Sequence, residues 1–576
     1  MKIRNTRALL WLGLGAVGLM LGWLAWAAWS VGLAGSASAD HPSRPIVMNS
    51  VTSATELLSL WPEGSAALPT APDAGGPSPI DTPSRAPKQT FPAELVLGPQ
   101  GFPADRSSVR DFGARGDGLA DDAPAVQRAV DAKPGVLYFP PGTYRLSKTI
   151  EVELDKVGPL AIVGSSGVRI VMAGPGPAFR FVGTHQGTAQ PASVLPPVWQ
   201  HQRMPRIEGM EILGDHPEAC GIQADGTMKL GVHGVLIRQV LHGVHLVRRN
   251  RNVLISQCHI YDNRGVGIYL DDVDLHQINV VGCHISYNKQ GGIVSRAGNV
   301  RNLQVTGCDI ETNVVNILLE AAGSRYGAAE VAITGCTIQH GNGPDSANVR
   351  ILGQGEKYRW GHVCISGNVF SDVDINVHLK DAEDITVTGN TFWMAYRYNL
   401  LAENCSRLVI SGNAFGRNPG YDYVKQVLPN ALRLVGCQDV ILQGIIVHDV
   451  QEAEAGLVLD ACQRINVVGC NFVDCSGPGL LLRNVQCSRV SDCVVDHKTP
   501  PEGWVAIRVE GGRQNLLTGN LLGGILEMEA SSGQAFGNHQ LRPAAEAVSE
   551  KPLVPEKLEV PQKPPGAKIP SVPKKL

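Results

Sequence analysis

The chain has 576 residues, long for a single domain, and its 50 basic and 53 acidic side chains leave a formal net charge of −3. With a pI near 6.6 there is no basic excess of the kind nucleic acid requires, which argues against a nucleic-acid partner. The 65 glycines and 5% aromatic content suit a fold built from many tight turns.

Lys2, Arg4 and Arg7 precede residues 8–33, an apolar run broken only by Ser30. A bilayer needs about 20 such residues, whereas a signal-peptide core has about 7–15. Trp23, Trp26 and Trp29 near its far end are placed like an interfacial aromatic belt, which favours a membrane anchor. Ala37-Ser38-Ala39 before Asp40 has the small-residue pattern of a cleavage site, so residues 1–39 read as transmembrane anchor or signal peptide. Either way the positive charges stay inside and the rest is exported: single-pass with an extracytoplasmic C-terminal domain, or secreted or periplasmic. Residues 40–105, rich in Pro, Ala, Ser and Gly, read as a flexible linker.

Residues 109–122 read VRDFGARGDGLADD, and residues 136–144 read VLYFPPGTY. Between them, Asp121 or Asp122 is a good N-cap, Pro124 suits a first helical turn, and residues 125–132 supply a short helix. Such a helix can cover the open end of a sheet whose unpaired edge would otherwise invite aggregation. The acids Asp117, Asp121 and Asp122 therefore read as structural. This passage resembles the opening of the pectate lyase superfamily of right-handed β-helices, the group of rhamnogalacturonases, epimerase-like lyases and phage tailspikes. The resemblance implies a right-handed parallel β-helix over residues 106–540, with its cap at 109–144, and carbohydrate chemistry. It does not supply a catalytic site. The polygalacturonase set of Asn-Thr-Asp, Asp-Asp, Gly-His-Gly and Arg-Ile-Lys phrases at successive coils is absent, as is the Asp-Pro-His of alginate epimerases. His242-Gly243 is the nearest approach.

From residue 254 onward one phrase recurs, as LISQCHI, NVVGCHI and QVTGCDI at 254, 279 and 304, with later copies to residue 522. Within it apolar and polar residues alternate, setting Val305 and Gly307 against Gln304 and Thr306. A second apolar pulse follows about ten residues later, for example Tyr269-Leu270 and Val377-His378-Leu379, with turn residues between. Two or three short strands per repeat and no intervening helix predict an all-β solenoid whose copies share one elongated core.

Of the 13 cysteines, Cys258, Cys283, Cys308, Cys336, Cys470 and Cys493 share one slot of the phrase, which holds Asn368, Asn390, Asn413 and Asn520 elsewhere. Stacked at about 4.8 Å per coil, these residues form a ladder along which amides hydrogen-bond. A second column reads Cys405, Cys437, Cys462 and Cys487. The odd total and the lack of close Cys-x-x-Cys pairs read as buried thiols rather than a metal site or disulfide framework.

Candidate site residues gather at 345–400. Asp372 and Asp374, if extended, would face one side with Cα atoms about 6.6 Å apart, compatible with the acid and base of an inverting glycosidase, about 6.5–9.5 Å apart. His378 and Lys380 should project outward beside them. Arg350 aligns one coil earlier and Arg397 enters from the next, so the basic group suits a uronate and abstraction of its C5 proton. Trp360, Trp393, Tyr396 and Tyr398, with Tyr358, Tyr421 and Tyr423, would supply aromatic platforms for sugar rings. A rival acidic cluster, Asp271, Asp272 and Asp274 after Tyr269, reads as a cation site or a turn. No residue pattern assigns a cofactor or a metal. Residues 541–576, rich in Pro and Lys, read as a disordered tail. Two functions follow: an exported protein binding or degrading an acidic polysaccharide as a lyase or glycoside hydrolase, or a non-catalytic scaffold or adhesin of the cell envelope.

Overall fold

The computed structural model describes residues 107–541 except 188–189, 325–327, 342, 356–359 and 418–426. The anchor, linker and tail expectations, and Tyr358, Tyr421 and Tyr423, lie outside the described residues. Each repeat folds as one coil of three short strands. In one coil these are Asn299–Thr306, Asp309–Glu311 and Val315–Glu320. Each strand pairs in parallel with its counterpart one coil on: Val305 with Ile333, Ile310 with Ile338, Ile317 with Val349. Stacked coils thus make three parallel sheets, here the first, second and third by their order within a coil. The protein is an all-β parallel solenoid around one core of Val, Ile and Leu columns, buried to 0% exposure at all six of those positions. Branched side chains fill this pleated interior well.

The glycine of the phrase does not face inward with Val305. Gly307 is exposed in the left-handed region at φ 60° and turns the chain from the first sheet to the second. The slot is equally left-handed at Gly282, Gly389 and Asp492 (φ 59°, 64° and 56°). An added Cβ at Gly307 would meet nothing within 4 Å. Backbone conformation rather than space therefore selects glycine, and an L side chain there costs about 1–2 kcal/mol.

The next residue points into the core, and the predicted ladder is present. Asn368 donates to Asn390 at 3.1 Å and Asn390 to Asn413 at 3.0 Å, while the Cys308 thiol donates to the Val280 carbonyl at 3.5 Å. In the second cysteine column Cys405, Cys437 and Cys462 are buried, but Cys487 is exposed because its own φ is 52° and swings it outward. A further ladder, not expected from the sequence, lines the corner between the second and third sheets. There Asn316 donates to Asn348 at 2.7 Å, Asn348 to Asn376 at 2.7 Å, and Asn376 to Asn399 at 2.8 Å. Both ladders satisfy buried amides at turns, where strand pairing stops and backbone groups need partners.

The N-terminal end is closed by the helix Ala123–Asp131, whose Ala125, Val126, Ala129 and Val130 join the core. Asp121 receives the Ala123 and Ser147 amides at 3.1 Å each, and Asp122 receives those of Arg115 and Gly116 at 2.6 and 3.1 Å. These acids tie the cap to the first coils.

Candidate active site on the outer face of the third sheet

Along the third sheet one outward position of each coil runs in register through Gln223, His245, Tyr269, Val294, Leu318, Arg350 and His378. The column is polar at both ends. Its middle, Val294 and Leu318, packs with Val266, Val315 and Ala347 in an apolar cluster separate from the main core. A neighbouring column places Asp271, Arg296 and Glu320 in successive coils.

At the first polar end three rings meet. The His245 ring stacks on Tyr269 with centroids 5.2 Å apart and planes within 7°, and His242 lies 5.1 Å from Tyr269. Asp271 sits 2.9 Å from His245 Nε2, and Gln223 Nε2 sits 3.3 Å from His245 Nδ1. These partners assign His245 as the tautomer with its proton on Nε2, donating to the carboxylate. The Tyr269 hydroxyl stands near Asp271 and Arg296; burial, then the nearby carboxylate, pushes the phenol above its usual pKa. Arg296 also pairs with Glu320 at 3.3 Å. The Val266 amide donates to His242 Nδ1 at 3.2 Å, and burial lowers the His242 pKa to about 4. His242 is therefore a neutral imidazole at neutral pH, with its proton on Nε2.

At the second end Arg350 and His378 are register neighbours. His378 Nε2 lies 2.9 Å from Glu403, and burial lowers the His378 pKa. Arg397 clasps Asp374, reaches Asp345 at 3.1 Å, and lies 5.7 Å over the Tyr398 ring. Arg350 donates to the Asp345 carbonyl at 2.9 Å. Lys380 and Tyr396 are exposed and Trp393 half-buried.

The sequence reading needs two corrections here, at Asp372 and at Trp360, while the acidic run 271–274 is the turn it allowed. Asp372 is not extended: its φ is 57°, it is 3% exposed beside His340, and burial raises its pKa. Asp374 instead faces Arg397, so the turn separates the two carboxylates and no acid–base pair forms. Trp360 is 0% exposed in the main core and offers no ring to a sugar. The acidic run 271–274 diverges, with Asp271 on His245, Asp272 in a left-handed turn at φ 42°, and Asp274 on Arg249 at 2.7 Å. Among the described residues no three His, Cys, Asp or Glu side chains converge as a metal site.

Gln223, His245 and Arg296 went unnoticed in the sequence. Their signal was the second pulse, where Gly243-Val-His245-Leu aligns with Gly267-Ile-Tyr269-Leu one coil later.

Residues 107–176 match the family model described as rhamnogalacturonase A/epimerase, pectate lyase-like, and residues 200–338 match the right handed beta helix region. Over these stretches the chain is similar to the pectate-lyase-like right-handed β-helix proteins. Within this β-helix, residues 326–484 also match the model of the periplasmic copper-binding protein NosD. The mannuronan C5-epimerase AlgE3 of Azotobacter vinelandii is 39% identical over 90 residues, which is 15% of this chain and 5% of the epimerase. Alginate lyase 7 of the same organism is 42% identical over 73 residues, 12% of this chain and 8% of the lyase. The β-helix thus matches only a small part of either relative. Among solved structures, the A-module of the A. vinelandii epimerase AlgE4 is similar at 14% identity and a TM-score of 0.35, covering 75% of this chain and 99% of the module.

Proposed function

We propose that this β-helix binds an acidic polysaccharide along the outer face of its third sheet and abstracts the C5 proton of a uronate at Tyr269. The observation that carries the reading is the convergence of Tyr269, His245, Asp271 and Arg296, a phenol, imidazole, carboxylate and guanidinium, on one outward face. Arg296 would pair with the substrate carboxylate and lower the barrier to enediolate formation, since preorganised charge stabilises charge that develops in the transition state. The Tyr269 oxygen would take the C5 proton as its own proton passes to Asp271, which His245 holds in place. The C–H electron pair enters the carboxyl group as an enediolate. From there, collapse with expulsion of O4 gives a C4–C5 double bond and a protonated O4. Return of a proton to the opposite face gives the C5 epimer instead. His242 Nε2–H is a neutral donor that can supply the proton to O4 in elimination or to C5 in epimerisation.

The chain would continue across the apolar saddle to Arg350, about 14 Å away at three coil spacings. Arg397, Lys380, Trp393, Tyr396 and Tyr398 would contact its outer sugars. The curated relatives named for mannuronan epimerisation and alginate cleavage support an acidic glycan as substrate class.

Purified protein is assayed on polymannuronate, polygalacturonate and neutral glucans for unsaturated ends, new reducing ends and C5 configuration. Unsaturated ends identify a lyase and inverted C5 without new ends an epimerase. Reducing ends without unsaturation would refute proton abstraction in favour of hydrolysis, and binding without turnover would favour the adhesin reading.

The same proposal places the domain outside the cell, held by residues 8–33. Alkaline carbonate extraction is expected to leave the chain with the membrane, and release of a form beginning at Asp40 would show cleavage instead.

A further inference from the structure

A second polar strip lies on another part of the solenoid, at the turn entering the first sheet. Arg251, His276 and Arg301 occupy one register position in three successive coils. Stacking puts their Cα atoms about 4.8 Å apart, a spacing at which like charges repel. Arg249 stands beside them, paired with Asp274 at 2.7 Å, and His185 lies 1% exposed with neither ring nitrogen partnered. Among the described residues the acids facing this group are Asp274 and Glu330, beside its three guanidinium groups. Burial and Arg249 lower the Arg251 pKa, and burial with Arg251 and Arg249 lowers that of His185 to about 4.

The adjacent register position carries amides. Asn252, Gln277 and Asn302 line a groove of about 410 Å³ together with Leu254, Asn279 and Gln304. Arg251 Nε donates to the Asn252 side chain at 3.2 Å, joining the cationic row to the groove. Two coils toward the N-terminus, Trp199 is 43% exposed, with Arg203 and Lys229 5.1 and 5.2 Å from its ring centroid. A ligand suited to this strip repeats an anion and hydroxyls at the coil spacing and offers an apolar face at one end. A bare inorganic anion uses only the cations.

We infer that this strip is a second binding site for an acidic glycan chain, its carboxylates on Arg251 and Arg301, its hydroxyls on Gln277, Asn279 and Gln304, and one ring against Trp199. It needs no turnover at the third sheet. It would hold the polymer on the protein while another stretch is processed.

The test is titration of the full chain with polygalacturonate and polymannuronate, with neutral amylose and inorganic phosphate as controls, together with hydrogen exchange. Polyuronate is expected to slow exchange at residues 251–254, 276–279 and 301–304 in the wild type. The double change His276→Gln and Arg301→Gln is expected to weaken binding at least tenfold and to remove that protection, with unchanged thermal unfolding. Arg301→Lys keeps the charge and should retain most of the affinity, which separates lost recognition from lost folding. Tyr269→Phe should leave the protection at 251–254, 276–279 and 301–304 intact, so failure of the third-sheet reading would not imitate failure here. Equal binding of amylose, protection confined to the third sheet, or full occupation by phosphate that polyuronate cannot displace would each overturn the site.

Discussion

Tyr269→Phe is expected to lower kcat on the glycan that the protein turns over by about 10²–10⁴-fold, the usual contribution of a positioned acid–base group. The change deletes one oxygen and keeps the ring that stacks on His245 at 5.2 Å. Packing and thermal unfolding should therefore hardly change, and KM should move little because the ring still lines the groove. His245→Gln is expected to act more mildly, since His245 positions Asp271 and does not itself meet the substrate. Its signature would be a shifted pH–rate profile rather than an abolished reaction. Full activity in Tyr269→Phe would move the chemistry elsewhere on the face, and the cluster at Arg350, His378 and Arg397 would be the next place to test.

Stability is expected to fall as the pH drops from neutrality to 5, by about 2 kcal/mol for His185 alone, from 1.36 kcal/mol per pKa unit. Burial and the guanidinium groups of Arg251 and Arg249 hold this histidine at about 4 in the folded state, against 6.5 when unfolded. A depressed histidine pKa means that the unfolded chain binds the proton first. The contribution is whole above pH 6.5, shrinks as the pH falls, and is lost by about 4. His185→Leu removes the titrating ring from a site where it is 1% exposed and has no hydrogen-bond partner. Urea midpoints at pH 7 and pH 5 should differ less in this variant than in the wild type. An unchanged pH dependence would refute the assignment to His185.

Sequence periodicity reaches furthest where one position has one environment in every coil. The phrase around Cys308 and Asn390 repeats because each copy meets the same corner of the same core, so the fold, the inner ladder and the cap were legible in the residues themselves. The outward faces follow no such rule. His245, Tyr269, Val294 and Leu318 share a slot yet differ in chemistry, because solvent and ligand impose no common demand on it.

What the sequence determined by itself was therefore the solenoid and its stacking, through the period of the apolar residues and the glycines. What only the tertiary structure decided was which residues meet. The left-handed turn at Asp372 parts two neighbouring carboxylates, and burial in the core removes Trp360 from any surface. Strand pairing one coil apart brings Gln223, His245 and Tyr269 side by side from three separate coils. Parallel stacking converts a separation along the chain into one inter-strand spacing, a contact that local pattern does not reveal until the register is known.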